Sequence, residues 1–596
     1  MKRPNKSALD RRKNFDVQYD SVTQNDLTPK NNVSYVRGPT EPPLVNSTVP
    51  QLLQNSVSRH GLKDALIFPN HRLTYCDFDK AVDELALGFL AIGLDKGDRL
   101  GIWSPNRLEW VLTQFATARI GVILVNINPA YQLLELEYSL NQVGCKALVL
   151  AKKFKNSEYL QMIHKLAPEL ENCCRGELQA AKLPDLRHVI VMDEVESFDR
   201  FWSFDYVASL GGPTEQLRLT EIEQELKPDD EINIQFTSGT TGQPKGATLS
   251  HYNIVNNAHL VTDKIKLTDS DRLAIPVPLY HCFGMVMAVL GAVSKGAAMV
   301  FPGEAFDSKQ TLDVVAREKC TALYGVPTMF VGMLQELEVT PRDMTSLRTG
   351  IMAGTLCPVE VMKKVNTQMN MREVTICYGM TETAPVSFQS FVDDPVDKRC
   401  ETVGRIHPHL EAKIVDEHGD IVSVGTAGEL CTRGYSIMTG YWNDIERTNE
   451  TIKDGWMHTG DLAVFDQEGY CTITGRLKDM IIRGGENIYP REIEEFLFSH
   501  PKIREVQVFG VPDERMGEEV CAWVVPIPGV DIKQEELTQF CKGEIAHFKI
   551  PRYFKFVQEL PMTITGKPQK FIMRDKMIEA LDKKYLMADV RIRITR

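Results

Sequence analysis

Eleven residues at 237–247 read TSGTTGQPKGA. Thr237, Ser238, Thr240 and Thr241 offer hydroxyl donors, and Lys245 offers one positive charge. Gly239, Gly242 and Gly246 let backbone N–H groups approach a ligand closely, with Gln243 and Pro244 between them and the lysine. Glycine costs about 1 kcal/mol against alanine inside a helix, so this stretch is a loop. Its spacing is not that of a Walker A motif, because Lys245 is followed by Gly246 and no helix is opened. A mobile surface loop explains the glycines and hydroxyls but not the strand-like run that leads into them. Phosphate oxygens are the chemistry that fits the whole set.

The elements around the loop must hold it in place. INIQF before it alternates like a strand, and ATLSH after it reads as another, so the loop is a strand-to-strand turn. From Val49 onward short apolar strands alternate with amphipathic helices, as in RLTY, AVDELALGFLAIGL and DRLGIWS. That alternation predicts an α/β fold: a large N-terminal domain of stacked, mainly parallel sheets flanked by helices. Near residue 475 the pattern changes to a small α+β unit that contains REIEEFLFSH, EVQVFGV and EVCAWVVP. The expected organisation is a polar tail or transit segment at 1–45, a large domain at 46–477 and a small mobile domain at 478–596. VRIRIT near the C-terminus alternates like a further strand.

Bulk properties bound the function. A chain of 596 residues is too long for one core, and 80 acidic against 68 basic side chains give a net charge of −12. That balance argues against nucleic-acid binding as the main task. Thirteen cysteines include no C-x-x-C pair, which suits reduced thiols better than a disulfide framework or a zinc motif. No apolar run is long enough for a transmembrane segment, the nearest being broken by Lys295. The basic N-terminus is open to two readings, a mitochondrial transit peptide and a solvated tail.

Five further motifs follow the loop in order: PLYHCFG from Pro278, YGMTE from Tyr378, TGD from Thr459, GRLKDMIIRGGENIYPREIE from Gly475 and PMTITGK from Pro561. Together with TSGTTGQPKGA this series resembles the acyl-adenylate-forming superfamily, and the similarity extends from about residue 50 to 580. The resemblance implies a fatty acyl-CoA synthetase. A carboxylate attacks the α-phosphate of ATP to give acyl-AMP and pyrophosphate, and coenzyme A then takes the acyl group and releases AMP.

The resemblance also assigns roles. The loop grips the β- and γ-phosphates. Glu382 binds Mg²⁺, a hard cation that prefers oxygen donors. Tyr378, Gly379, Met380 and Thr381 lie against the adenine and α-phosphate, with Gly354 in the turn beside them. Asp461 receives the ribose hydroxyls and Arg476 adds a ribose or phosphate contact. Lys567 is the catalytic cation, carried on the small domain, which must therefore close over the substrates. Pro568 departs from the family pattern and restricts Lys567 to extended conformations. Lys478 is the hinge. Gly484 and Gly485 face the pantetheine arm of coenzyme A, in a stretch that also reads as a plain hairpin turn. His281 gates the acyl chain, although a lone histidine near an apolar helix is as readily packed there. The apolar run from Met285 to Leu290 suits a medium-length aliphatic chain and would equally suit core.

The expected partners are thus small molecules: fatty acid, ATP and coenzyme A. Peripheral membrane contact is compatible with the sequence. The resemblance points to a mitochondrial location, with a cytoplasmic one as the alternative. Loading of a carrier protein, activation of another carboxylate, a luciferase-type oxygenase that uses the adenylate, and a catalytically inactive acyl- or nucleotide-binding protein are the competing readings.

Overall fold

The computed structural model describes residues 27–194, 200–237, 244–355, 357–484, 486–513, 515–563 and 567–581. Ser238, Gly239, Thr240, Thr241, Gly242, Gln243 and Gly485 lie outside the described residues, as does the VRIRIT stretch.

Two sheets are mainly parallel. The eight-stranded one runs Gly440–Tyr441, Lys245–Ser250, Glu231–Thr237, Ile123–Asn126, Arg99–Trp103, Ala147–Leu150, His188–Val191 and Trp202–Ser203. Its first two pairings are antiparallel and the other five parallel. The nine-stranded sheet has a parallel centre in which Thr349–Ala353 lies between Ala322–Gly325 and Glu373–Gly379. Helices cover these sheets. The helix Leu108–Arg119 is buried at every position from Trp110 to Arg119, so it belongs to the interior of the large lobe. Threonine and serine caps set several helix starts. Ser250 accepts from the Asn253 N–H, and Asn253 reaches back to the Ser250 N–H, which fixes where the strand Lys245–Ser250 turns into the helix His251–Lys264.

A third, six-stranded sheet is antiparallel throughout. It contains Leu410–Val415, Gly428–Gly434, Trp456–Phe465 and Cys471–Arg476, and the helix–strand alternation gave no sign of it. Its edge strand, Tyr35–Arg37, falls inside the stretch read as polar tail. Only Val36 of that strand is fully buried, too short a signal for periodicity to register.

The last strand of this sheet ends at Arg476, and Ile481 opens a separate five-stranded sheet. One face of that sheet packs Val508, Val520 and Val524 against Ile493, Leu497 and Leu537. The opposite face packs Phe509, Val511 and Trp523 against Met573. The small lobe therefore has its own core on both faces of its sheet.

Candidate active site

The loop at 238–244 joins two antiparallel strands, with Thr237 opposite Lys245 and Phe236 opposite Gly246. The hairpin is held from below by side chains. Gln235 donates to Asn233 Oδ1 at 2.9 Å, and Asn233 donates to Asn126 Oδ1 at 3.0 Å, all three buried. A satisfied buried amide chain of this kind fixes strand register where apolar packing alone would permit sliding.

Glu382 sits in a single helical turn, Thr381–Thr383, and is 5% exposed. Its Oε1 accepts from the Thr237 hydroxyl at 3.3 Å and the Tyr441 hydroxyl at 2.9 Å. Lys245 lies with its ammonium 4.9 Å from the centre of the Tyr441 ring. Burial holds that ammonium below the ordinary lysine range, partly offset by the charge of Glu382. One carboxylate, one cation and two hydroxyls thus gather at the strand ends that flank the loop. Tyr441 was not foreseen. Its strand is two residues long and carries no periodic pattern, so only its pairing with Ala247 reveals it.

The turn before Glu382 depends on a missing side chain. A Cβ on Gly379 would lie 1.8 Å from the Pro385 carbonyl oxygen. Gly379→Ala should destabilise the large lobe by about 1–3 kcal/mol, measured by urea unfolding, because neither backbone segment can retreat from the contact. Gly354 follows the strand Thr349–Ala353 with φ at +99°, a conformation that suits glycine. Met380 is half-buried, and its N–H and carbonyl both bond to the Thr383 hydroxyl.

Asp461 and Arg476 face each other across paired strands. Arg476 Nε donates to Asp461 Oδ1 at 3.0 Å, and the Tyr378 hydroxyl donates to Oδ2 at 2.6 Å. Burial, then the neighbouring Asp461 charge, push the Tyr378 phenol well above its ordinary range, so it remains a donor. The Tyr378 ring meets Phe388 edge-on, with centroids 6.2 Å apart. Each Asp461 oxygen keeps a second lone pair, enough to receive two further hydroxyl donors. Glu429, also unforeseen, accepts the Gly460 N–H at 3.1 Å and so fixes the turn that presents Asp461.

Lys567 reaches this place from the small lobe. Its N–H donates to the Thr563 hydroxyl at 2.9 Å, and its carbonyl accepts the Thr563 N–H at 2.8 Å. Met562 and Pro568 form an antiparallel bridge just outside that pair. Such surroundings suit the extended backbone that Pro568 asks of Lys567. Desolvation, with the Arg476 guanidinium nearby, holds the Lys567 ammonium below the ordinary lysine range against the pull of Asp461 and Glu382. All three partners belong to the large lobe's side of the junction.

His281 is close enough to Lys567 to feel its charge. Burial first, then that charge, push the imidazole down to about 3. Its Nδ1 accepts the Phe283 N–H at 3.1 Å, which assigns the ring proton to Nε2. His281 is therefore neutral at any working pH. His281→Gln is expected to leave the acid limb of the kcat/KM profile in place, which a pH series on both proteins checks. The helix that follows is π-wound over Phe283–Leu290, and every residue in it is buried. Met285 does not line a free channel wall at its sulfur: Sδ accepts from Asn126 and Gln235, each at 3.1 Å.

Lys478 is exposed in the turn after Arg476, between the two sheets. Gly484 stands at the turn of the hairpin formed by Ile481–Arg483 and Glu486–Ile488, its N–H bonded to the Met516 carbonyl at 2.8 Å. The hairpin reading of that stretch holds. Among the described residues, neither Gly484 nor Lys478 bonds to Glu382 or Asp461, although the Lys478 charge does reach Lys245.

Comparison with known proteins agrees with this geometry. Residues 53–442 match the sequence profile described as AMP-binding enzyme, and residues 492–567 match AMP-binding enzyme C-terminal domain. The chain is 49% identical over 549 residues to the medium-chain acyl-CoA ligase ACSF2, mitochondrial, of Danio rerio, covering 91% of this chain and 90% of that one. The Homo sapiens protein of the same name is 45% identical over 559 residues, covering 92% and 91%. Among solved structures, ATP-bound MatB from Rhodopseudomonas palustris aligns with a TM-score of 0.78 at 28% identity, over 90% of this chain and all of that one. The same enzyme without ligand aligns with a TM-score of 0.67. The anthranilate CoA ligase AuaEII with anthranoyl-AMP also aligns at 0.78, with 25% identity, over 90% and 98% of the two chains. A glycine- and hydroxyl-rich hairpin, a carboxylate at its mouth and a lysine brought in by a second lobe thus occur in a chain that belongs to the AMP-binding enzyme family.

Proposed function

We propose that the protein is an ATP-dependent acyl-CoA synthetase acting on medium-chain fatty acids. The reading is supported most by Lys567 of the small lobe lying near enough to Asp461 and Glu382 of the large lobe for both charges to act on its ammonium. In the first half-reaction a fatty carboxylate oxygen attacks the α-phosphorus of ATP, and the bond to pyrophosphate breaks. In the second the coenzyme A thiolate attacks the acyl carbon and AMP leaves.

Neither step needs a protein nucleophile, so the protein's task is placement and charge. Asp461 receives the ribose hydroxyls, with Tyr378 and Arg476 fixing its rotamer. The hairpin loop, Lys245 and Thr237 hold the β- and γ-phosphates. Lys567 neutralises charge between the incoming carboxylate and the α-phosphate. Neutral His281 stands at the head of the apolar helix and offers Nε2–H without adding charge. A buried carboxylate beside a hydroxyl fits Mg²⁺, so Glu382 would hold that ion, and the bound ion would supply charge to the triphosphate. After adenylation the small lobe turns about Lys478, withdraws Lys567 and brings the Gly484 hairpin toward the pantetheine arm. A mitochondrial location follows the names of the relatives.

Purified protein incubated with ATP, Mg²⁺, coenzyme A and a ladder of saturated acids tests the reading. AMP and thioester should form together and peak at middle chain lengths. Acyl-AMP without thioester would point to the carrier-loading alternative, and no acid-dependent AMP would refute both.

A further inference from the structure

The outer face of the antiparallel sheet carries a side-chain cluster in which only Glu429, through Gly460, has been given a role so far. Glu429 and Cys431 alternate on the strand Gly428–Gly434, so both project from one face, and Cys431 lies opposite His458 on the strand Trp456–Phe465. His458 Nδ1 stands 2.8 Å from Glu429 Oε2 and 3.5 Å from Cys431 Sγ. One ligand atom from each residue falls within 4.8 Å of the other two. Cys431 is buried beneath Glu429 and His458, whose side chains are each 20% exposed.

We propose that Glu429, Cys431 and His458 form a binding site for a divalent cation of the zinc class, set beside the turn that presents Asp461. Three donors of types S, N and O, with one position open to water, are a tetrahedral zinc-type set. Zn–S and Zn–N bonds of about 2.3 and 2.0 Å give a sulfur–nitrogen edge of about 3.5 Å. The Sγ···Nδ1 separation of 3.5 Å already meets that edge. The pair of Glu429 and His458 is held by a hydrogen bond whose proton the cation replaces. A thiolate–imidazole set disfavours Mg²⁺, so this site and Glu382 select different metals.

The site is tied to the ribose turn. Glu429 Oε1 accepts the Gly460 N–H while Oε2 faces His458, and His458 directly precedes Thr459, Gly460 and Asp461. One carboxylate therefore bridges the cation and the turn. Binding changes no oxidation state. The cation forms its bond to sulfur as the S–H proton leaves to solvent, and the imidazole proton moves from Nδ1 to Nε2. A thiol proton is released when the cation binds, so affinity must rise with pH.

The test uses tag-free full-length protein in which Cys76, Cys173 and Cys174, the cysteines that are not buried, are replaced by serine. Co²⁺ is titrated in the presence of excess Mg²⁺, and the thiolate-to-cobalt charge-transfer absorption is followed. One equivalent should bind, Zn²⁺ should displace it, and Cys431→Ser should abolish the band. His458→Ala and Glu429→Gln, both at half-buried positions, should each weaken binding at least about ten-fold. They decide the matter if Cys431→Ser does not fold. No charge-transfer band, or one that survives His458→Ala at unchanged affinity, overturns the proposal.

Discussion

Lys567→Ala should lower the rate of acyl-AMP formation by about 10²–10³-fold, the usual loss when one preorganised charge is removed from a developing anion. Thioester formation from supplied acyl-AMP should stay within about three-fold, because in the proposed cycle the lysine withdraws before that half-reaction. The split follows from where the residue is carried. Lys567 is held by Thr563 and flanked by the Met562–Pro568 bridge, and its own side chain is in neither of the small lobe's two cores. Removing its side chain therefore leaves the lobe's packing intact. Pyrophosphate release and thioester formation, assayed separately on the folded variant, check the result, and equal loss in both halves would refute the role. The same residue predicts an alkaline limit. Its ammonium is held below the ordinary lysine range, chiefly by desolvation, and only the protonated form can neutralise the α-phosphate. Adenylation kcat/KM should therefore fall as pH rises through a value below that of a free lysine, and Lys567→Ala should remove that limb.

Glu382→Gln is the second large effect, again about 10²–10³-fold in adenylation kcat/KM. The substitution separates two roles. A glutamine carbonyl still accepts from Thr237 and Tyr441, so the strut between hairpin and turn survives. What is lost is the negative charge that would hold Mg²⁺ and balance Lys245. Glutamine should thus be nearly as slow as alanine, and half-saturation by Mg²⁺ should move to higher concentration. A glutamine variant with near-normal rate would make Glu382 a structural strut only. Kinetics of both variants across a Mg²⁺ series provide the measurement.

Much of this site was legible in the sequence because its chemistry is written in short runs. Glycines and hydroxyls at 237–247 mark a loop between two alternating strands, and the structure pairs those strands as a hairpin. The Asp461–Arg476 partnership spans fifteen residues but becomes one contact because the two strands are adjacent and antiparallel. Other contributors gave no signal. Tyr441 reaches Glu382 from a two-residue strand, and Glu429 supports Gly460 from a neighbouring strand, so both depend on sheet order. Helix–strand alternation reports parallel architecture well and antiparallel architecture poorly. The strand Trp456–Phe465 contains Thr459, Gly460 and Asp461 in its middle, which breaks any apolar alternation, and the sheet around it went unseen. The apolar run after His281 showed the opposite failure. Its composition suits an acyl wall, yet Met285 spends its sulfur on two buried amides, a use that only coordinates reveal.

A crystal structure with ATP and Mg²⁺ bound tests the central claim most directly. The ribose should sit on Asp461, and the triphosphate should run along the hairpin loop past Glu382. The Lys567 ammonium should lie within hydrogen-bonding reach of an α-phosphate oxygen. Nucleotide bound away from the junction of the two lobes, or at the junction with Lys567 turned to solvent in the adenylating state, would contradict it.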